Sequence, residues 1–180
     1  LINFLLTNDR HFHEHSKWAD KTVNVDEIFS SEFIAGFPNL RDNHVTTIPI
    51  FLTSMVDQNI TPPYLDITES YGVPADVCPL PSAEAGVAIN DDYPLIGKCA
   101  LTCNMPCDGS IINSSYIDRR FNIPTQVINV PLRYNGEDVQ EYAVDEIKSA
   151  IQFVEEQTGE KWDWDHFFKA MKQYNQQTEY

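Results

Sequence analysis

Residues 98–130, KCALTCNMPCDGSIINSSYIDRRFNIPTQVINV, decide the fold. Lys98 to Thr102 and Thr125 to Val130 are short apolar runs of the kind that form buried strands. Pro124 and Pro131 bound the second run. Between the two, Asp108 to Phe121 suits a helix, with Ile111, Ile112, Ser115 and Tyr116 as its apolar stripe. Strand, helix, strand is the repeat from which a parallel sheet with crossover helices is built.

The same alternation continues on both sides. Downstream, Val139, Ala143, Ile147, Ala150, Ile151 and Val154 recur at the α-helical period, predicting a helix from Glu137 to about Gln157 that Thr158-Gly159 ends. A last helix is expected near Asp163, carrying Trp164, Phe167, Phe168 and Met171 inward. Upstream, Thr47 to Thr53 reads as a strand. Thr61-Pro62-Pro63 opens a helix that runs to Tyr71 and stops at Gly72. A short extended segment then leads to Cys78, and Pro79-Leu80-Pro81 through Pro94 reads as a long excursion. Residues 1–45 are irregular or helical, with helices over Leu1–Trp18 and Val25–Phe37. The expectation is a doubly wound α/β domain, Rossmann- or flavodoxin-like, over 46–180, preceded by an N-terminal segment over 1–45.

The formal charge of −15 and pI near 4.5 argue against nucleic acid, whose phosphates need clustered Lys and Arg. Hydrophobic residues make up 42% of the chain, enough for a packed core, yet no run approaches the ~18 apolar residues of a membrane helix. The opening Leu1 to Leu6 lacks the basic flank and cleavage site of a signal peptide, so the expected location is cytoplasmic. The missing initiator Met suggests a processed or excised piece.

Four cysteines stand at 78, 99, 103 and 107. Such close spacing without a secretory signal points to metal binding, catalysis or core packing rather than disulfides. Ligands in α/β sheets bind beyond the carboxyl ends of strands, and the loop from Cys103 to Gly109 falls there. Cys107 opens a helix in a Pro-Cys-Asp-Gly turn, where backbone N–H groups favour thiolate. Cys99 and Cys103, four apart on one strand, share a face and read as small core residues. The Cys99-x3-Cys103-x3-Cys107 run misses the radical-SAM spacing by one residue. His11, His13 and His15 read as a solvated cluster, and Asp91-Asp92 and Glu155-Glu156 as solvent-facing charge.

Several stretches in order resemble the 2-hydroxyacyl-CoA dehydratase / benzoyl-CoA reductase family. They are Pro62 to Ile67 with Tyr71-Gly72-Val73-Pro74, Lys98 to Thr102 with Cys107-Asp108, Phe121 to Pro131, and Glu141 to Lys161 with Tyr174-Asn175. The likeness runs from about Thr46 onward. It implies the front portion of a subunit holding a 4Fe–4S cluster through Cys78 and Cys107, with a third cysteine farther along a longer chain. Flavin stays open, and Cys103 is an extra in the family pattern. The implied reaction removes water from a 2-hydroxyacyl-CoA through a ketyl radical. Its implied partners are a second dehydratase subunit, an ATP-dependent iron–sulfur activator and the acyl-CoA substrate. Ser54, after the first strand of the α/β domain, is a candidate hydrogen-bond donor near the substrate carbonyl, against the plainer reading of a turn serine. Two rivals remain: a related iron–sulfur reductase, of benzoyl-CoA reductase or double-cubane type, and a non-catalytic subunit-contact domain with all four thiols buried.

Overall fold

Four strands, Thr22–Val25 (β1), Arg41–His44 (β2), Cys99–Cys103 (β3) and Thr125–Ile128 (β4), form one all-parallel sheet in the order β2-β1-β3-β4. The computed structural model describes residues 20–25, 31–44, 59, 61–90, 97–105, 108–131 and 136–179. The helices are Ser31–Ile34 (α1), Thr61–Ser70 (α2), Pro79–Ile89 (α3), Gly109–Phe121 (α4), Glu137–Thr158 (α5) and Trp164–Thr178 (α6). The 2-1-3-4 order is that of flavodoxin-like sheets, and the doubly wound expectation is met. The expected helices of Leu1–Trp18 and strand of Thr47–Thr53 lie outside the described residues.

Two local expectations need correction. Val25–Phe37 is not one helix: Val25 ends β1, and among the described residues of this stretch only the single turn of α1 is helical before Leu40 leads into β2. The alternation Thr-Val-Asn-Val is too short to register as a strand alone, and sheet pairing on both sides supplies what length does not. Residues 73–78 are turns rather than extended chain, closed by Val77 N–H on the Pro74 carbonyl at 3.1 Å, and the supposed excursion after them opens as α3. Prolines 79 and 81 sit in its first turn, where a missing N–H forfeits no helical bond.

Along each strand the side chains alternate between two unlike faces. Val23, Val25, Cys99, Leu101, Cys103 and Ile128 pack with Ile34, Phe37, Ala150 and Val154, so α1 and α5 cover one face. Helix α4 packs on β3 and β4 without entering that core, as a right-handed β3–α4–β4 crossover to the other face requires. On this other face Thr22, Asn24, Asn43 and Thr102 are all buried. Asn43 Nδ2 donates to Asn24 Oδ1 at 2.9 Å across paired positions of β1 and β2. A one-residue slip would set these amides against the apolar core, so the pair fixes register.

Helix α2 ends in a Schellman arrangement: Gly72 has φ +96°, its N–H reaches the Glu69 carbonyl at 2.9 Å, and Val73 N–H reaches Thr68 at 3.3 Å. Helix α3 packs along α2 and then on α4. The α5–α6 corner is held by aromatic packing. Trp162 meets Phe33, Phe37, Trp164 and Phe167 with ring centroids 5.1–5.4 Å apart. Asp163 N–H also donates to the Gly36 carbonyl at 2.8 Å. Trp164 and Phe168, expected inward, are instead 53% and 63% exposed: Trp164 touches Trp162 and Phe168 stacks on Trp164, but neither enters the core.

Glu155, read as solvent-facing, closes this corner. Its carboxylate accepts from Lys161 Nζ at 2.7 Å and from Trp162 N–H at 2.9 Å, which together hold it below its ordinary value near 4.5. A lowered carboxylate stabilises the fold above the unfolded-state value, and the contribution fades as pH falls through the lowered one. Glu155→Gln is therefore expected to lower stability at neutral pH by less than about 1 kcal/mol, since the lysine is largely solvated. Chemical denaturation at pH 7 and pH 3 checks this, the two proteins converging at the lower pH.

Candidate functional site

The chain reverses its winding direction between β1 and β3, and the carboxyl edge there is where a doubly wound sheet binds its ligand. Strand β3 leaves that edge through Asn104 and Met105, and β4 through Asn129 and Val130. Asn104 spans the two exits: its Oδ1 accepts Val130 N–H at 2.8 Å and its Nδ2 donates to the Val130 carbonyl at 3.2 Å. From the other side Glu146 of α5 accepts Asn129 N–H at 2.7 Å and Asn129 Nδ2 at 3.3 Å. The exit of β4 is thus gripped by a helix and by the neighbouring exit.

The cysteines divide. Cys99 and Cys103 are wholly buried in the apolar core, as small core residues. Burial pushes the Cys99 thiol up to about 12, against the opposing pull of Lys98. Cys103 Sγ lies 3.0 Å from the Met105 carbonyl and 3.4 Å from its N–H, so it shapes the first turn after β3. At Cys99 this burial works against the thiolate form that a metal would require.

Cys78 differs from both. It is half-buried, in no disulfide, and stands at the N-cap of α3 without using its sulfur to cap the helix. Its carbonyl does that work, accepting Ser82 N–H at 3.3 Å and Ser82 Oγ at 3.0 Å. With Pro79 and Pro81 in the first turn, the backbone direction at Cys78 is stiff. Cys107 and Ser54 lie outside the described residues. No group of three His, Cys, Asp or Glu gathers as a metal site among the described residues.

Two hollows accompany these elements. One, between α2 and α3 and lined by Thr68, Val73, Val77 and Pro79, holds about 30 Å³, room for a water or two and no substrate. The other, about 300 Å³ and apolar, lies between α5 and α6, with Lys148 the one charged residue in its lining among the described residues. Among the described residues no helix is long and apolar enough to cross a membrane.

Sequence reading named Cys78 as a candidate ligand and set Cys99 and Cys103 aside as core, where they lie; it did not single out Asn104 and Glu146, which shape the sheet edge. Both are ordinary polar residues, and only the pairing of β3 with β4 and the packing of α5 on that edge gives them partners. A family model described as 2-hydroxyglutaryl-CoA dehydratase, D-component, matches residues 50–180. No curated protein matches the chain.

Proposed function

Because the chain belongs to the 2-hydroxyglutaryl-CoA dehydratase D-component family, we propose that it is part of an iron–sulfur subunit that removes water from a 2-hydroxyacyl-CoA. The observation that carries this reading is the division of the thiols. Two of four are locked in the core, and Cys78 is left half-exposed with an uncommitted sulfur on a proline-stiffened helix start. A soft donor so placed fits iron, whose clusters are held by cysteine thiolates. Cys78 and Cys107 are the residues that would hold a 4Fe–4S cluster, with at least one further ligand from outside this segment. A bound cluster would supply one-electron chemistry and Lewis acidity.

The difficulty in the reaction is the β-proton of the substrate, which is barely acidic in the neutral thioester. One-electron activation by a separate ATP-hydrolysing protein gives a thioester ketyl radical, which expels hydroxide and acidifies that proton. Once the proton has left, the electron is returned, so the overall change is loss of water alone. This chain's part is positional. Asn104 and Val130 join the described exits of β3 and β4, and Ser54 is a candidate hydrogen-bond donor to the substrate carbonyl. A second dehydratase subunit, which the D-component description supports, completes the assembly.

The test uses the complete subunit with its partner, purified without oxygen. Iron per subunit and charge-transfer absorbance are measured for the wild type and for Cys78→Ser, Cys107→Ser and Cys99→Ser. The first two variants are expected to lose iron and dehydratase activity together, and Cys99→Ser to keep both. Full iron in Cys78→Ser would overturn the assignment. A colourless wild type would leave a subunit-contact domain, and turnover by reduction without loss of water would leave a reductase.

A further inference from the structure

We propose that Thr68 is a positioning residue for Cys78, a single anchor in α2 that holds the chain on both sides of that sulfur. The inference rests on the cluster reading above, in which Cys78 is a ligand. The segment that carries Cys78 leaves α2 at Gly72 and returns against the same helix as α3. Both of its ends are fastened to one buried residue.

Upstream, the Thr68 carbonyl accepts Val73 N–H at 3.3 Å, in the turn that ends α2. Downstream, the Thr68 hydroxyl lies 2.6 Å from the Ser82 carbonyl and 2.9 Å from the Tyr64 carbonyl of its own helix. A hydroxyl has one proton to give, and the shorter contact, across to α3, is the better placed to take it. Ser82 in turn grips Cys78. Its N–H and its Oγ both donate to the Cys78 carbonyl, at 3.3 and 3.0 Å. Only Pro79, Leu80 and Pro81 separate the two, and each proline ring locks φ. Ahead of Cys78, Val77 N–H closes a turn on the Pro74 carbonyl at 3.1 Å. Little freedom is left in the backbone that aims the sulfur. Thr68 and Ser82 are both buried, so water competes poorly for these bonds. The Cys78 sulfur takes no part in capping the helix.

The anchor has a direct readout and a functional one. In the complete subunit stripped of iron, mass spectrometry follows alkylation of Cys78 by iodoacetamide. Thr68→Val removes the hydroxyl and should speed alkylation roughly three- to tenfold, the span expected for one lost hydrogen bond. Thr68→Ser restores the hydroxyl and should return the rate to that of the wild type. Ser82→Ala keeps the N–H bond to Cys78 and should give a smaller rise. Trp162→Ala disturbs the α5–α6 corner and should leave the rate unchanged. In the iron-loaded subunit, release of iron to a chelator well below the unfolding temperature should follow the same order. Wild-type alkylation in both Thr68→Val and Ser82→Ala would overturn the anchor, as would an equal rise in Trp162→Ala. Faster alkylation with wild-type iron release would overturn its role in holding the ligand. A wild type that binds no iron would sink the cluster reading, while the alkylation series would still decide whether Thr68 holds Cys78.

Discussion

Gly86→Ala should cost about 3 kcal/mol, the upper end of what overpacking a tight contact costs, and lower the thermal midpoint by roughly 5–10 °C. A Cβ on Gly86 of α3 would meet the Tyr64 carbonyl oxygen at 2.2 Å and its carbon at 2.7 Å. Both are backbone atoms of α2, so no rotamer change relieves the clash. The next nearest atom, Thr68 Oγ1 at 2.9 Å, is no freer. That hydroxyl is wholly buried and lies 2.6 Å from the Ser82 carbonyl and 2.9 Å from that of Tyr64, tying the two helices at the same level. The better helix propensity of alanine offsets only about 1 kcal/mol. Gly159→Ala is the matched control: nothing lies within 4 Å of its Cβ, and its φ of +76° costs only about 1–2 kcal/mol. Thermal unfolding followed by circular dichroism compares the two. A midpoint for Gly86→Ala no lower than that for Gly159→Ala would mean that α2 and α3 are not in backbone contact.

Trp162→Ala is expected to cost about 3–5 kcal/mol, the range for emptying a large aromatic site. The indole touches both the α1 side, at Phe33 and Phe37, and α6, at Trp164 and Phe167. It also lies against Gly36, where a Cβ would come within 2.3 Å of the ring. Its Nε1 is buried without a hydrogen-bond partner among the described residues. Trp162→Phe therefore gives up volume but no polar contact, and should cost less than about 1.5 kcal/mol. Trp164→Ala, at a ring half in solvent, should be milder still. Urea unfolding of the three variants checks the order. Equal losses for Trp162→Ala and Trp164→Ala would show that the corner does not depend on the central indole.

What could be read from the residues alone follows from how each element is buried. Helix α5 has one covered and one solvated face, so its period shows in the letters, and Gly159 marks its end with a left-handed φ. Helix α3 is buried along Pro81–Ala88, including Glu84, so no polar stripe marks a period and its prolines read as loop. Strands β1 and β2 are four residues each and exist because they pair with each other and because β1 also pairs with β3, information that no local window holds. The same limit applies to the site. The thiol of Cys78 is visible as a letter, and Cys99 and Cys103 could be placed in the core by their spacing. The grip of Asn104 on Val130 joins residues 26 apart and becomes legible only once β3 lies beside β4.

The contrast between the cysteines also bears on how such a protein would age in air. A thiol held near 12 inside the sheet is almost never ionised at neutral pH, so peroxide and alkylating agents find little to attack at Cys99. Among the described cysteines an oxidant therefore meets the half-exposed sulfur at position 78 before it reaches the thiols of the core.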